Sequence, residues 1–471
     1  MQINRRLAYN HALDYAVARA NQLQLPLLIY EGLRTDYPWA SDRLHTFILQ
    51  GMAENRAAMR RRKLNYFGFA EQFAGQGRGL VRRLSRDAAL VVSDEFPVFI
   101  MPEHNRRVSQ WIQVPYYTID ANGILPMRLS AKDSWSAFIF RKLVQRHFWE
   151  AWQNPPLADP LAKLKHRGAA LDLEQLSADW PTPAEAWQNP ASFCKSLPID
   201  HQVRPAMISG ERKTALELLD DFINHKLKRY AKERNHPDAD AASRLSPWLH
   251  FGKISSFEIV QRVFQCQPRD WQPVYSARIT GKNRGFFGGY EYVESFLDEL
   301  ITWREIGYHY AFHRPDYDQL SSLPDWALKT LHDHRRDPRP WLYNMAALET
   351  AQTHDEIWNT AQRELTATGF MQNYLRMLWG KKILEWSPDP ETALQTMIEL
   401  NNKYALDGRN PNSYSGIFWV LGRFDRAWFE RPIYGKLRYM TSDSTRRKLK
   451  MDRYLQQYGS SQPQPDLFTN R

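Results

Sequence analysis

Two architectures in one chain are predicted: a doubly wound parallel α/β (Rossmann-like) domain over residues 1–130, and an all-helical domain over 206–455. Three observations predict them. Strand-period and helix-period segments alternate through the first 130 residues, strand-like alternation nearly vanishes after residue 206, and a stretch dense in Pro and Trp separates the two regimes. At 471 residues the chain exceeds one typical domain, and a hydrophobic content of 43% suffices for two packed cores.

The elements follow in order. ALDYAVARANQL is an amphipathic helix, LPLLIY (25–30) a strand and SDRLHTFILQGMAENRAAMRRRK (41–63) a helix. NYFGFA (65–70) is a second strand, followed by a helix near 78–87, the strand AALVVSD (88–94) and a helix near 104–112. Because the chain opens on a helix, the first βαβ unit has no first strand, and about ten residues are expected ahead of Met1. No G-x-G-x-x-G and no G-x-x-x-x-G-K-[ST] occurs, so this domain carries no dinucleotide fingerprint.

Residues 131–205 (WQNPPLADPLAKL, DWPTPAEAWQNP) hold turn signals too dense for one long element and are expected to be an ordered linker. TALELLDDFINHKLKRYAKERN (214–235) is a long amphipathic helix with basic residues at its C-terminal end. SRLSPWLHFG (243–252) follows, with hydroxyls at Ser243 and Ser246 and a cation at Arg244. Either Ser caps a helix before Pro at its first position, or both hydroxyls serve a phosphate. VESFLDELITWREIGYHYAFHR (293–314) is a further helix with Glu299 and Trp303 four apart on one face. His309 and His313 share that spacing but lack a third ligand, so no metal is expected there. The polar tail 456–471 is expected to be disordered.

Composition narrows the partners. A formal charge of +11 and a pI near 9.4 favour a polyanion, since clustered Lys and Arg gain affinity by releasing phosphate counterions. The basic stretch RPIYGKLRYMTSDSTRRKLKMDR (431–453), with Lys436, Arg438, Arg446, Arg447 and Lys448, is the candidate contact surface. Two cysteines rule out a four-thiolate cluster and a disulfide framework, and a reducing, cytoplasmic compartment is expected. No run approaches the roughly 18 to 20 apolar residues of a membrane helix. A monomer is expected.

The stretch that dominates the helical half is Trp358–Asp425. Trp379 and Trp386, seven apart, share a helix face about 10.5 Å apart. Large aromatics at helical spacing usually pack a core. Here Arg376, Asn401, Asn402, Asp407, Arg409, Asn410 and Asn412 crowd the same region, and such a density of donors and acceptors calls for a polar ligand to satisfy it.

At these residues the chain resembles the class II cyclobutane pyrimidine dimer photolyases of the photolyase/cryptochrome superfamily. The carriers are WN-x-A-Q (358–362), YLRMLW-x-KKILEW (374–386), LN-x-KY-x-LDGR-x-PN (400–412) and DRAW-x-ERPI-x-GK-x-RYM (425–440), with weaker echoes in SRLSPWLHFG-x-IS (243–255), FLDEL (296–300) and PDWALKTLHDHR (324–335). The resemblance implies FAD in the helical domain, active as the reduced anion, UV-damaged DNA as partner, and a possible second, antenna chromophore in the α/β domain. It implies Tyr230, Ser243, Arg244, Leu245, Ser246, Arg304, Arg376, Asn401, Asp407 and Gly408 around the flavin. Trp379, Trp358 and Trp386 become, in that order, an electron path from flavin to surface. Glu299, Met377, Trp303 and Trp419 line a lesion pocket, with Asn401 beside flavin N5. One departure stands out: Glu258 occupies a position where close relatives carry an Arg aimed at the lesion, with Arg262 one turn on. It leaves a second reading, a flavin photoreceptor of the cryptochrome type without repair activity.

Overall fold

The computed structural model describes residues 1–167, 171–275 and 278–459. The N-terminal part holds four strands, β1 (Leu28–Leu33), β2 (Asn65–Ala70), β3 (Val91–Asp94) and β4 (Tyr116–Ile119). Around them lie helices α1 (His11–Leu23), α2 (Asp42–Arg61), α3 (Leu80–Arg86) and α4 (Met101–Trp111). β1 pairs in parallel with β2, and β3 in parallel with β4. The expectation of one doubly wound sheet is therefore corrected to two separate parallel pairs. β1 and β3 do not meet; a cavity of about 1130 Å³ lies between them, lined by both strands and by residues of α1, α3 and α4. Met1 and Gln2 bridge its rim, the terminal ammonium donating to the Tyr30 carbonyl at 2.7 Å and the Gln2 amide to the Asp94 carboxylate at 2.6 Å. β4 escaped the sequence reading because all four of its residues are half-buried, which erases the inside–outside alternation.

The segment 131–205 differs from the expected linker. Ala137–Trp152 is an uninterrupted 16-residue helix, capped by Ser136, whose side chain accepts from the Ile139 amide. The prolines that suggested turns begin at Pro155, beyond its end. Arg141 of this helix grips Asp298 through two bonds of 2.7 and 2.9 Å, so the segment buttresses the helical domain.

Among the described residues no strand follows Ile119. Both long helices predicted around the candidate site carry a π-helical interruption. The first runs Arg212–Asp221, then π-helix over Phe222–Lys226, then Leu227–Glu233; the second runs Glu291–Leu297, π-helix over Asp298–Trp303, then Arg304–His313. The two pack on each other through Phe222, Tyr230 and Phe296, with ring centroids 4.6 Å apart for Phe222–Phe296 and 5.3 Å for Tyr230–Phe296. Wider π turns recur at functional sites, because they rotate a few side chains out of register with the rest of the helix.

The aromatic stretch forms four helices with legible boundaries. Glu356–Thr368 is capped by Asp355 and stopped by Gly369 in the left-handed region at φ 79°. Asn373–Trp386 is capped by Gln372, while Pro390–Tyr404 and Pro411–Val420 each have Asx caps (Asp389, Asn410) and Pro at the first position. Gly307 lets two helices close: a Cβ there would lie 2.8 Å from Asn412 Cα.

One core crosses the boundaries at residues 130 and 206, and the remaining clusters stay on one side of residue 206. One cluster runs from Phe47 and Phe140 through Trp248 to Tyr414, spanning both halves, and a second holds Trp358, Trp379, Trp386 and their neighbours between Leu323 and Tyr454. Ile398 and Trp419 pack against both. Of the tail expected to be disordered, residues up to Tyr458 belong to a helix, Asp452–Tyr458, and 460–471 lie outside the described residues.

Candidate active site

The site lies where the two cores meet. Trp358 and Trp379 are parallel, 2° between planes and 6.4 Å between centroids, and Trp386 stands edge-on to Trp358 at 5.5 Å. Hydrogen bonds pin the rings: Trp358 Nε1 donates to the Trp379 carbonyl at 3.0 Å, and Trp379 Nε1 to Gln362 Oε1 at 2.8 Å. Contiguous indole rings at this separation form a path along which an electron vacancy can move. One expectation is corrected. Trp386 is 1% exposed and does not reach the surface; Tyr343 and His354 cover it.

Beside Trp379 the fold gathers Arg376, Asp407, Gly408 and Asn401. Both Arg376 terminal nitrogens donate to one Asp407 oxygen at 3.2 Å. Asn401 Nδ2 donates to Ser413 Oγ at 2.7 Å. Gly408 is required by close approach, since a Cβ would sit 2.8 Å from the Asn401 carbonyl oxygen. Its role is to seat the 405–408 turn under Asn401. Glu364, unnoticed in the sequence, lies within electrostatic reach of Arg244 and Arg376; burial raises its carboxyl above the usual range, and it accepts from Tyr454 Oη at 2.9 Å. Its signal was a carboxylate on the buried face of the helix carrying Trp358, Ala361 and Leu365.

A second wall carries Tyr230, Arg234, Glu299 and Trp303. Arg234 ion-pairs with Glu299 and lies over the Tyr230 ring at 5.5 Å. Glu299 and Trp303 are both in the π-helical turn, half-buried. Burial raises the Glu299 carboxyl above its ordinary range while Arg234 opposes that shift. Gln372 ties the two walls, its side-chain amide donating to the Arg234 carbonyl at 2.9 Å. Met377 faces Gly416, and Trp419 carries Lys381 Nζ at 5.6 Å and the Arg438 guanidinium at 5.4 Å. Lys381, another residue the sequence did not single out, is fully buried, and desolvation pulls its ammonium down to about 7.

Ser243, Arg244, Leu245 and Ser246 form the turn into the short helix Ser246–His250, with Arg244 in the left-handed region at φ 55° and ion-paired to Asp240 at 3.1 Å. The donor set of guanidinium, amide, carboxylate and hydroxyls beside a Trp face fits a heteroaromatic ring with amide-like edges joined to a phosphate, as in FAD.

Other predicted residues go elsewhere. Arg304 is buried and donates to the Asn122 carbonyl at 2.8 Å and to Tyr308 Oη at 3.1 Å. Arg409 and Asn410 turn the same way: Asn410 bonds Tyr308 Oη and His250 Nδ1, and Arg409 Nη2 is left without a partner. Asn410 is thus satisfied by Tyr308 and His250, and Asn402 by Tyr414 and the Arg409 amide, within the protein rather than by a ligand. Glu258 is buried against Arg212 at 2.6 Å, and Arg262 pairs with Asp220 at 2.5 Å, so Arg262 does not replace a lesion-facing cation. In the basic stretch Arg438 is clamped by Asp425 at 2.7 and 3.0 Å and over Trp428 at 4.3 Å. Lys436, Arg446, Arg447 and Lys448 are exposed; Arg446 ion-pairs with Asp452, and Lys448 lies over Tyr374 at 4.7 Å. His309 bonds Ser130 Oγ at 2.9 Å and its ring meets His313 at 4.7 Å; no group of three metal-ligating side chains occurs among the described residues. No described helix is long and apolar enough to cross a membrane.

The fold thus brings three neighbouring indoles and an Arg–Asp pair with an adjacent Asn into one region. The chain is 33% identical to the deoxyribodipyrimidine photo-lyase of Methanothermobacter thermautotrophicus over 97% of its own length and 92% of the relative's. It is 33% identical to the photo-lyase of Oryza sativa subsp. japonica (96% and 85%) and 30% to that of Potorous tridactylus (95% and 78%). It therefore belongs to the photolyase family. No family model matches. The fold is that of a bacterial class III photolyase from Agrobacterium tumefaciens, with a TM-score of 0.65 over 97% of this chain and 85% of that one, at 17% identity.

Proposed function

We propose that this chain is a class II photolyase that splits cyclobutane pyrimidine dimers in DNA by light-driven electron transfer from reduced FAD. The single observation that carries it is the union of the Trp379–Trp358–Trp386 stack with the Arg376–Asp407–Asn401 cluster. When bound, FAD supplies what side chains cannot, a photoexcited one-electron donor that opens the cyclobutane ring and regains its electron.

The residues do the rest. Arg376, held by Asp407, places a cation where the reduced flavin is anionic, and partial burial makes that attraction count. Asn401 supplies an amide that can hydrogen-bond in either redox state. Arg244, Ser243 and Ser246 would hold the phosphates, and Tyr230 supports Arg234. Trp303 and Trp419 offer π-faces to an extruded dimer, whose weakened pairing lowers the cost of extrusion. Glu299 hydrogen-bonds the dimer. Its raised carboxyl and its Arg234 partner are the two ways a carboxyl can stabilise an electron-rich lesion rather than repel it. Trp379, Trp358 and Trp386 would carry electrons inward to a bound flavin.

The photoreceptor reading keeps one observation, Glu258 in place of a cation. One oxygen of that carboxylate is paired with Arg212, while Glu299 has its own partner in Arg234, so the two carboxylates do not compete for one cation. The test is repair of dimer-containing DNA in blue light by protein loaded with FAD and chemically reduced. Light-dependent loss of dimers supports the proposal; stable flavin binding with no loss favours the photoreceptor.

A further inference from the structure

Trp386 is the outermost indole of the relay, yet it is 1% exposed. An electron vacancy arriving there leaves a radical cation in apolar surroundings, where an unpaired charge is costly. Lys382 sharpens the problem: its ammonium stands 5.5 Å from the Trp386 ring centroid and is joined to Glu385 at 2.8 Å. A cation over an indole face disfavours a second positive charge on that ring. The vacancy is pushed onward.

What lies onward is an assembled pair. Tyr343 meets Trp386 edge-on at 5.4 Å between centroids, and its backbone amide donates to the Trp386 carbonyl at 3.2 Å. The Tyr343 hydroxyl is 2.7 Å from His354 Nδ1. A second bond bears on its direction. The His354 backbone N–H donates to the same phenol oxygen at 3.0 Å, which occupies one of its lone pairs; we take the phenol as donor to Nδ1, with the imidazole proton on Nε2. His354 is exposed, itself 5.3 Å from Trp386, and is capped by the half-exposed Trp341 stacked at 4.5 Å and 23°. Packing alone explains an aromatic cluster, but it does not require a phenol and an imidazole to share a proton at the solvent boundary.

Resting on the electron-transfer reading above, we infer that Tyr343 and His354 form a proton-coupled terminal donor to the tryptophan relay. One electron passes from Tyr343 to the Trp386 radical cation, which returns to closed-shell tryptophan. The phenol O–H bond breaks and a new N–H bond forms at His354 Nδ1. The products are a neutral tyrosyl radical and an imidazolium, and the imidazolium releases its Nε2 proton to water. Charge is conserved and leaves the interior. The phenoxyl oxygen keeps the His354 backbone N–H as donor, so the radical is not left unpaired.

The experiment is flash excitation of the protein carrying oxidised FAD, following tryptophan and tyrosyl radicals by transient absorption and electron paramagnetic resonance, in H₂O and D₂O. The parent gives a tryptophan radical that decays into a tyrosyl radical with a solvent isotope effect. Tyr343→Phe ends at tryptophan and recombines roughly tenfold faster, the effect of about 1.4 kcal/mol of lost driving force. His354→Gln keeps the phenol and loses the tyrosyl signal. Tyr343→Trp restores the long-lived pair without the isotope effect. A tyrosyl radical undiminished in His354→Gln, or a parent-like lifetime in Tyr343→Phe, overturns the inference. Absence of any tryptophan radical in the parent fails the relay itself, a distinct outcome.

Discussion

At the residue scale, Trp379 and Glu299 have separable duties. In the proposed function Trp379, parallel to Trp358, begins the relay, so Trp379→Phe should stop photoreduction of oxidised flavin while repair by chemically reduced protein stays within about twofold of the parent. Steady-state illumination followed by a dimer assay reads both, and equal loss of both would make Trp379 a packing residue. Glu299→Ala should lower splitting yield about tenfold, the loss of one hydrogen bond to a charged group worth roughly 1.5 kcal/mol. Quantum yield per bound lesion measures it, and a parent-like yield removes the carboxyl from the reaction. That the three tryptophans adjoin and Arg376 meets Asp407 was legible from the resemblance carried by that one stretch. Glu364 and Lys381 were not, because a single charged residue inside an apolar periodicity reads as a solvated face until burial is known. Arg304 was misplaced for the complementary reason: one step of helical phase turns it toward Asn122.

At the scale of elements, the helices around the candidate site were legible, whereas the helix Ala137–Trp152 and the geometry of the helices were not. Caps at Asp355, Asp389 and Asn410 and the stop at Gly369 were written in residue type. The π-helical turns at Phe222–Lys226 and Asp298–Trp303 were not, because hydrophobic periodicity over so few residues does not distinguish a π turn from an α turn. Gly307 makes the crossing of Arg304–His313 on Pro411–Val420 possible, and Gly307→Val should cost about 1 to 3 kcal/mol through overpacking and backbone displacement. Chemical denaturation reads that directly; an unchanged midpoint would mean the helices can separate freely. On Asn373–Trp386 the buried Lys381 sets a pH effect. Its folded value near 7 lies below the unfolded 10.5, so between them the unfolded chain binds more protons and stability rises with pH. The advantage of Lys381→Met over the parent should therefore shrink as pH climbs through that window, and a constant difference would contradict a lowered ammonium.

At the scale of the whole molecule, composition indicated a basic, polyanion-binding protein and two regimes of secondary structure, but not how they join. The sheet was expected to be continuous and is two parallel pairs, since strand order and edges are set by long-range pairing that local pattern does not encode. One hydrophobic cluster is common to the two halves while the others stay on one side of residue 206, so a shared core crosses the boundary drawn from periodicity. Charge supplies the prediction here. Reversing Arg446, Arg447 and Lys448 together should flatten the salt dependence of DNA binding by up to about three phosphate contacts while leaving the preference for damaged DNA, because pocket contacts release no counterions. Titration of damaged and undamaged duplexes across salt concentrations tests this, and an unchanged slope places the phosphate surface elsewhere. The central claim is tested most directly by counting dimers in UV-irradiated DNA incubated with FAD-loaded, chemically reduced protein, in blue light and in the dark. The account predicts loss of dimers in light alone. Dimers that persist in light while the flavin remains bound and reduced would contradict it.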